Sequence, residues 1–229
     1  MSEQWAERIR HTNQLVRGVA GYVLGRPKYT PDQLYGLCKL TWITNSYSGD
    51  GAAYIRSTKV PALGDAFSKD FSDMSLEEVA KEISEIMGSE ELKPLILRHT
   101  GFTNLYKAYR NTARPWVHKN FKKLAPMFET AYALETDEAA SIIIRGIEKL
   151  AGIPKAQHDE QVMRPEYLLT PAFASLDQRL RFPLINGNDG VRNLLRSLKV
   201  KGAPLHAQYQ SMIALYGVGG VADSADLHQ

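Results

Sequence analysis

Helix-start signals, each followed by apolar residues three and four positions apart, recur along this chain and constrain its fold more than any other feature. Ser75-Leu-Glu-Glu78 is a capping box, in which the serine oxygen and the glutamate each take up an amide that the first helical turn leaves unpaired. Val79, Ile83 and Ile86 continue one face from it, and Gly88 supplies a residue that tolerates the left-handed stop. Thr30-Pro31 is a second start, because threonine caps and proline at the first helical position has no amide to lose. Leu34, Leu37, Cys38 and Thr41 form the buried face that follows it. Trp5, Ile9, Val16, Val19 and Val23 mark a helix over residues 3–24, and Thr136-Asp-Glu138 caps another carrying Ile142, Ile143, Ile147 and Leu150 toward Gly152 and Pro154.

Further helices are predicted from Ser89 to near Gly101, from Thr103 onward, from Pro115 to about Leu134 with a kink at Pro126, and over 189–199 and 204–216. The Gly, Asn and Asp of residues 45–51 predict a turn. Strand signals are confined to Tyr167–Thr170 and Arg181–Ile185, with no series of alternating segments and hairpin turns. The expected class is all-α, mainly helical and bundle-like, with at most a small irregular β element in the C-terminal third. The polar run Lys155–Arg164, followed by Pro165, Pro171 and Pro183, sets the best boundary near 155. It divides a helical domain, 1–154, from a smaller helical region, 155–229, packed with the first as one unit or separate from it.

With 229 residues, 44% of them hydrophobic, the chain is long enough to bury a core without crosslinks. Its single cysteine, Cys38, excludes an internal disulfide framework and any zinc site needing two thiolates, which suits a reducing cytoplasm. The charged N-terminal segment does not have the apolar stretch of a secretory signal, and no apolar run approaches the roughly 20 residues of a membrane span.

Charge is unevenly distributed. Nine acids fall between Asp65 and Glu91, against Lys69 and Lys81. Residues 92–128 contain no acid and eight cations. In that span Arg98, Lys107, Arg110, Arg114, Lys119, Lys122 and Lys123 interleave with aromatics that include Tyr106, Tyr109, Trp116 and Phe121. Cations neutralise phosphates and aromatic faces accept unstacked bases, so this composition points to a nucleic acid. Lys107, Arg110 and Arg114 share one helical face by spacing, as do Lys119, Lys122 and Lys123. A second basic region, 179–201, holds Arg179, Arg181, Arg192, Arg196, Lys199 and Lys201 against Asp189 alone. The competing account has the aromatics in the core and the lysines balanced by the acidic helix 76–87 packed alongside.

Several short segments resemble catalytic or binding motifs. Leu97-Arg-His-Thr100 with Thr103 and Leu105 resembles the second signature box of tyrosine recombinases, but Leu95 stands where that box has histidine, and the downstream glycine-histidine pair and tyrosine are missing. Glu91-Leu-Lys93 resembles half of the PD-(D/E)xK nuclease motif, with Asp70 or Asp73 upstream, yet Ser89 caps a helix there and Pro94 follows. HEPN ribonucleases separate an arginine from a following histidine by four to six intervening residues; Arg114, with three between, is too close to His118, and Arg110, with seven, too far from it. Leu215-Tyr-Gly-Val-Gly-Gly-Val-Ala222 resembles a helix-hairpin-helix turn with its alanine one place early. The six histidines include no HxH and no pair four apart, and no P-loop, GxGxxG or GxSxG occurs.

These features predict a cytoplasmic, DNA-associated protein of a prokaryotic or phage system, of the mobile-element or defence kind, which binds without catalysing and needs no metal or cofactor. The expected contacts are Arg98, Lys107, Arg110, Arg114, Trp116, Lys119, Lys122 and Lys123, extended by Arg192 and Arg196. The alternatives are a protein–protein adaptor or homo-oligomeric subunit using the complementary acidic and basic surfaces, and a DNA nuclease or recombinase.

Overall fold

A computed structural model describes residues 3–41, 59–71, 73–88, 90, 93, 97, 112–155 and 158–228. Among them the protein is predominantly helical, with one small two-stranded antiparallel sheet. In chain order the elements are α1 (Glu3–Leu24), α2 (Pro31–Leu40), α3 (Val60–Phe67), α4 (Leu76–Met87), α5 (Ala113–Tyr132) and α6 (Asp137–Glu148). They continue with β1 (Ile153–Lys155), β2 (His158–Met163), α7 (Pro165–Leu176), α8 (Asp189–Ser197), α9 (Leu205–Ile213) and α10 (Ser224–Leu227).

The predicted caps are present as chemistry. Thr30 Oγ1 accepts from the Gln33 amide at 3.2 Å while Gln33 Oε1 accepts from the Thr30 amide at 2.9 Å. Ser75 and Glu78 do the same for α4, whose end at Gly88 adopts φ 66°, the left-handed region open to glycine. Thr136 caps α6 through the Ala139 amide at 3.1 Å. On α6 the buried stripe is Ala140, Ile143, Ile144 and Ile147, and Ile142, expected on that face, is instead 71% exposed. A 100° step per residue cannot turn both Ile142 and Ile144 inward.

The C-terminal third departs from the predicted strands. Tyr167–Thr170 lies inside helix α7, and Arg181–Ile185 is irregular, with no ladder partners among the described residues. The sheet is a hairpin in the polar stretch, pairing Ile153 with Met163 and Pro154 with Val162, with an irregularity after Pro154. Helix α7 is buried at every position but Tyr167, so it has no polar face and no stripe to read.

Helices on both sides of residue 155 line one continuous core. Phe128 of α5 meets Phe173 of α7 edge to face at 4.9 Å, and Phe173, Phe182 and Tyr209 continue the contact at 5.8 and 5.9 Å. Arg17 of α1 donates to the Leu176 carbonyl and, at 3.1 Å, to the Tyr132 carbonyl, so one guanidinium serves the C-terminal ends of α7 and α5. Arg10 reaches Asp223 and Asp226, each at 2.8 Å, fastening α1 to α10.

Candidate nucleic-acid interface

Helix α5 carries most of the part of the acid-free span that the structure describes. Its inward residues are Ala113, Trp116, Val117, Leu124, Phe128 and Ala131, spaced as one stripe. The same rotation turns Lys119, Lys122 and Lys123 outward together, and all three are exposed. Among the described residues none of the three has a carboxylate within ion-pair distance. The acidic helix α4 spends its charges elsewhere: Glu82 pairs with Lys69, Glu85 lies 3.7 Å from Lys81, and Glu78 serves the cap.

Two expected contacts on the same helix face the protein. Arg114 forms a forked pair with Asp32, Nε to Oδ1 at 2.7 Å and Nη2 to Oδ2 at 3.1 Å, and reaches Asp70 at 3.2 Å. His118 Nε2 lies 2.9 Å from the same Asp32 oxygen. Burial raises the affinity of Asp32 for a proton, but hydrogen bonds from Arg114 and His118 outweigh it and hold the carboxyl below its usual range. This cluster anchors the start of α5 to the first turn of α2. Trp116 is 5% exposed and donates its indole N–H to the Ala151 carbonyl at 3.0 Å, so its ring packs the core.

In the second region, Arg179 and Arg181 are taken up by the protein's own carboxylates, Asp177 and Asp137. Arg192 and Arg196 are exposed on α8, Arg192 beside Asp189 and Arg196 beside Asn193. Arg98, Lys107 and Arg110 lie outside the described residues, as do the 45–51 turn, the helix expected from Thr103 and most of the recombinase-like segment.

The structure adds neighbours that the sequence did not suggest. Tyr29 meets Phe121 edge to face at 5.8 Å, and its hydroxyl donates to Glu129 Oε1 at 2.6 Å. The turn 25–29 is thereby set beside α5, with exposed Lys28 next to the contact and the Arg26 guanidinium 4.0 Å from the Tyr22 ring centre. Only the Arg-Pro-Lys-Tyr sequence of this turn, basic and aromatic, hinted at it.

No protein-family model, no curated protein and no solved structure matches this chain.

Among the described residues no group of three His, Cys, Asp or Glu side chains comes together to hold a metal ion. Cys38 is fully enclosed, and burial pushes its thiol up to about 12. None of the described helices is long and apolar enough to cross a membrane.

Proposed function

We propose that this is a DNA-associated protein that binds phosphates through the outward face of α5, with Lys119, Lys122 and Lys123 as its core and Lys28 at its flank. The observation that carries the reading is the division of labour along one helix. Arg114 is consumed by internal carboxylates, while three lysines at i, i+3 and i+4 have none among the described residues. A helix anchored by a forked ion pair holds its exposed cations in a fixed array, which lowers the ordering cost of contacting a polyanion. Arg192 and Arg196 extend the footprint on α8, and the half-buried rings of Tyr29 and Phe121 supply apolar surface beside the lysines. The cytoplasm, where such a polyanion is met and a lone buried thiol stays reduced, is the compartment that suits the reading.

Fluorescence anisotropy with single- and double-stranded DNA and RNA across a salt series tests it. Combined K119A, K122A and K123A should weaken binding and lower the salt slope by up to about 3, since each phosphate contact contributes roughly 0.9 on duplex DNA. Unchanged affinity and slope would remove the proposal. A defined oligomer without nucleic-acid binding would favour the adaptor reading instead.

A further inference from the structure

We propose a second binding site, separate from the α5 face: a pocket where α7 begins, closed by Ile185 and Asn186, α8 and its following turn, and Gln208 of α9, which takes a phosphomonoester on a hydroxylated carrier. The pocket has a volume of about 210 Å³. That is below the roughly 300–1,000 Å³ typical of drug-sized ligands, so the guest is of sugar-phosphate size.

Its lining suits that chemistry. Arg164, Arg192 and Lys201 bring three cations against one carboxylate, Glu166. The excess favours a dianion, and two guanidinium groups match the oxygen edges of a phosphate. Arg192 holds Asp189 only through a side chain 82% exposed, a pairing weak enough for a ligand to displace. Lys201 has no carboxylate partner among the described residues. Deeper in, Glu166 and Gln208 are 8% and 4% exposed. Gln208 uses one N–H on the Ala203 carbonyl at 2.6 Å, which fixes the amide while its oxygen and second N–H remain to serve a ligand. The nearest cation to the Glu166 carboxyl, Arg164, stands 3.7 Å off, and burial raises the acid's proton affinity. Glu166 and Gln208 line the pocket with oxygens able to accept a further hydrogen bond, and the hydroxyls of a sugar can donate it.

The walls are fixed by the fold rather than by a ligand. The Ile185 amide donates to Thr170 Oγ1 at 2.9 Å, tying the irregular segment to α7. At the end of α8, Lys199 takes φ 59° and the amides of Val200 and Lys201 both donate to the Leu195 carbonyl, at 3.0 and 3.1 Å. This closure turns the chain back and, with Gly202 at φ 85°, carries Lys201 to the rim. None of these residues belongs to α5, and only Arg192 is shared with the proposed nucleic-acid footprint, so loss of the α5 lysines leaves the pocket's own test intact.

A 5′-phosphorylated strand end and a free sugar phosphate offer the same chemistry. Calorimetric titration of the full chain with inorganic phosphate, ribose 5-phosphate, and one oligonucleotide bearing either a 5′-phosphate or a 5′-hydroxyl separates them. Ribose 5-phosphate should bind saturably and more tightly than inorganic phosphate. R192A with K201A, both at exposed positions, should weaken it at least tenfold, about the loss expected on removing a charge-assisted hydrogen bond. E166Q should weaken ribose 5-phosphate but not inorganic phosphate, and the K119A, K122A, K123A variant should keep both. A preference for the 5′-phosphorylated oligonucleotide that R192A with K201A abolishes assigns the site to strand ends; equal oligonucleotide binding assigns it to the free metabolite. No saturable binding of ribose 5-phosphate below about 10 mM, or binding that R192A with K201A leaves unchanged, overturns the proposal.

Discussion

Lys39 is 1% exposed and ends against aromatic rings, its Nζ 3.8 Å from the Phe71 centroid and 5.0 Å from that of Tyr35, while donating to the Lys69 carbonyl at 2.7 Å. Burial lowers its pKa to about 7; Asp32 and Asp70 pull it back up and Arg114 pushes it further down. In the unfolded chain the ammonium titrates near 10.5, so between pH 7 and 10.5 the unfolded state binds the proton more tightly. Stability from this residue therefore rises with pH through that window. Thermal unfolding at pH 7 and pH 8.5, short of thiol ionisation, should show wild type gaining stability. Lys39→Met, apolar and of similar length, should be more stable than wild type at pH 7 and lack the gain; parallel curves for the two proteins would dispose of the assignment. The same residues show what the sequence could not convey about the site. Spacing alone predicted that Lys119, Lys122 and Lys123 share a face, because helical geometry is local. The fate of Arg114 depended on Asp32, 82 positions away, and that of Trp116 on the Ala151 carbonyl, contacts that only the folded chain creates.

Helix α4 packs against α3 among the described elements, buries Val79, Ala80 and Ile83 in the core, and carries a capping box at its start. Ser75→Ala removes the acceptor for the Glu78 amide and should cost about 1 kcal/mol, read as a lower urea midpoint with an unchanged slope. Amide exchange should quicken first in the α4 turn beginning at Leu76; no change in either measurement would mean that solvent replaces the cap without loss. Elements with a clear apolar stripe or boundary chemistry were legible in the sequence: α1 by its periodicity, α2, α4 and α6 by their capped starts, and α5, α8 and α9 to within a few residues. Helices α3 and α7 and the hairpin were not. Helix α3 starts after Lys59, which makes no side-chain cap, and eight residues give too little periodicity to detect. Helix α7 is buried on nearly all sides and holds Pro165 at its first turn and Pro171 inside, so the short run Tyr167–Thr170 read as a strand. The hairpin β1–β2 escaped notice because its polar residues matched a linker.

At the scale of the whole molecule, the two ends of the chain are closed over the core by groups that respond to acid. His228 Nε2 accepts the Leu184 amide at 2.8 Å and must be neutral at that nitrogen to do so, and burial holds its pKa down at about 4. The unfolded histidine titrates near 6.5, so as pH falls from 6.5 toward 4 the unfolded state takes up the proton first and stability declines. The carboxyls come next. Burial raises the proton affinity of Asp137 and Asp223, yet their arginine partners, Arg181 with Arg179 and Arg10, win and hold both below the usual range. Their contribution is complete above pH 4 and disappears only as pH drops through their lowered values. Acid unfolding should therefore begin with a loss of stability between pH 6.5 and 4, before Asp137 and Asp223 are protonated in the folded protein. His228→Gln, whose amide oxygen can accept from Leu184 without titrating, should flatten the stability profile in that interval and leave the steeper fall below pH 4 in place. Circular dichroism during urea unfolding at half-unit pH steps resolves the two phases. A decline from pH 6.5 that persists unchanged in His228→Gln would assign the first phase to another histidine, because these aspartates respond only as the pH nears 4 and below.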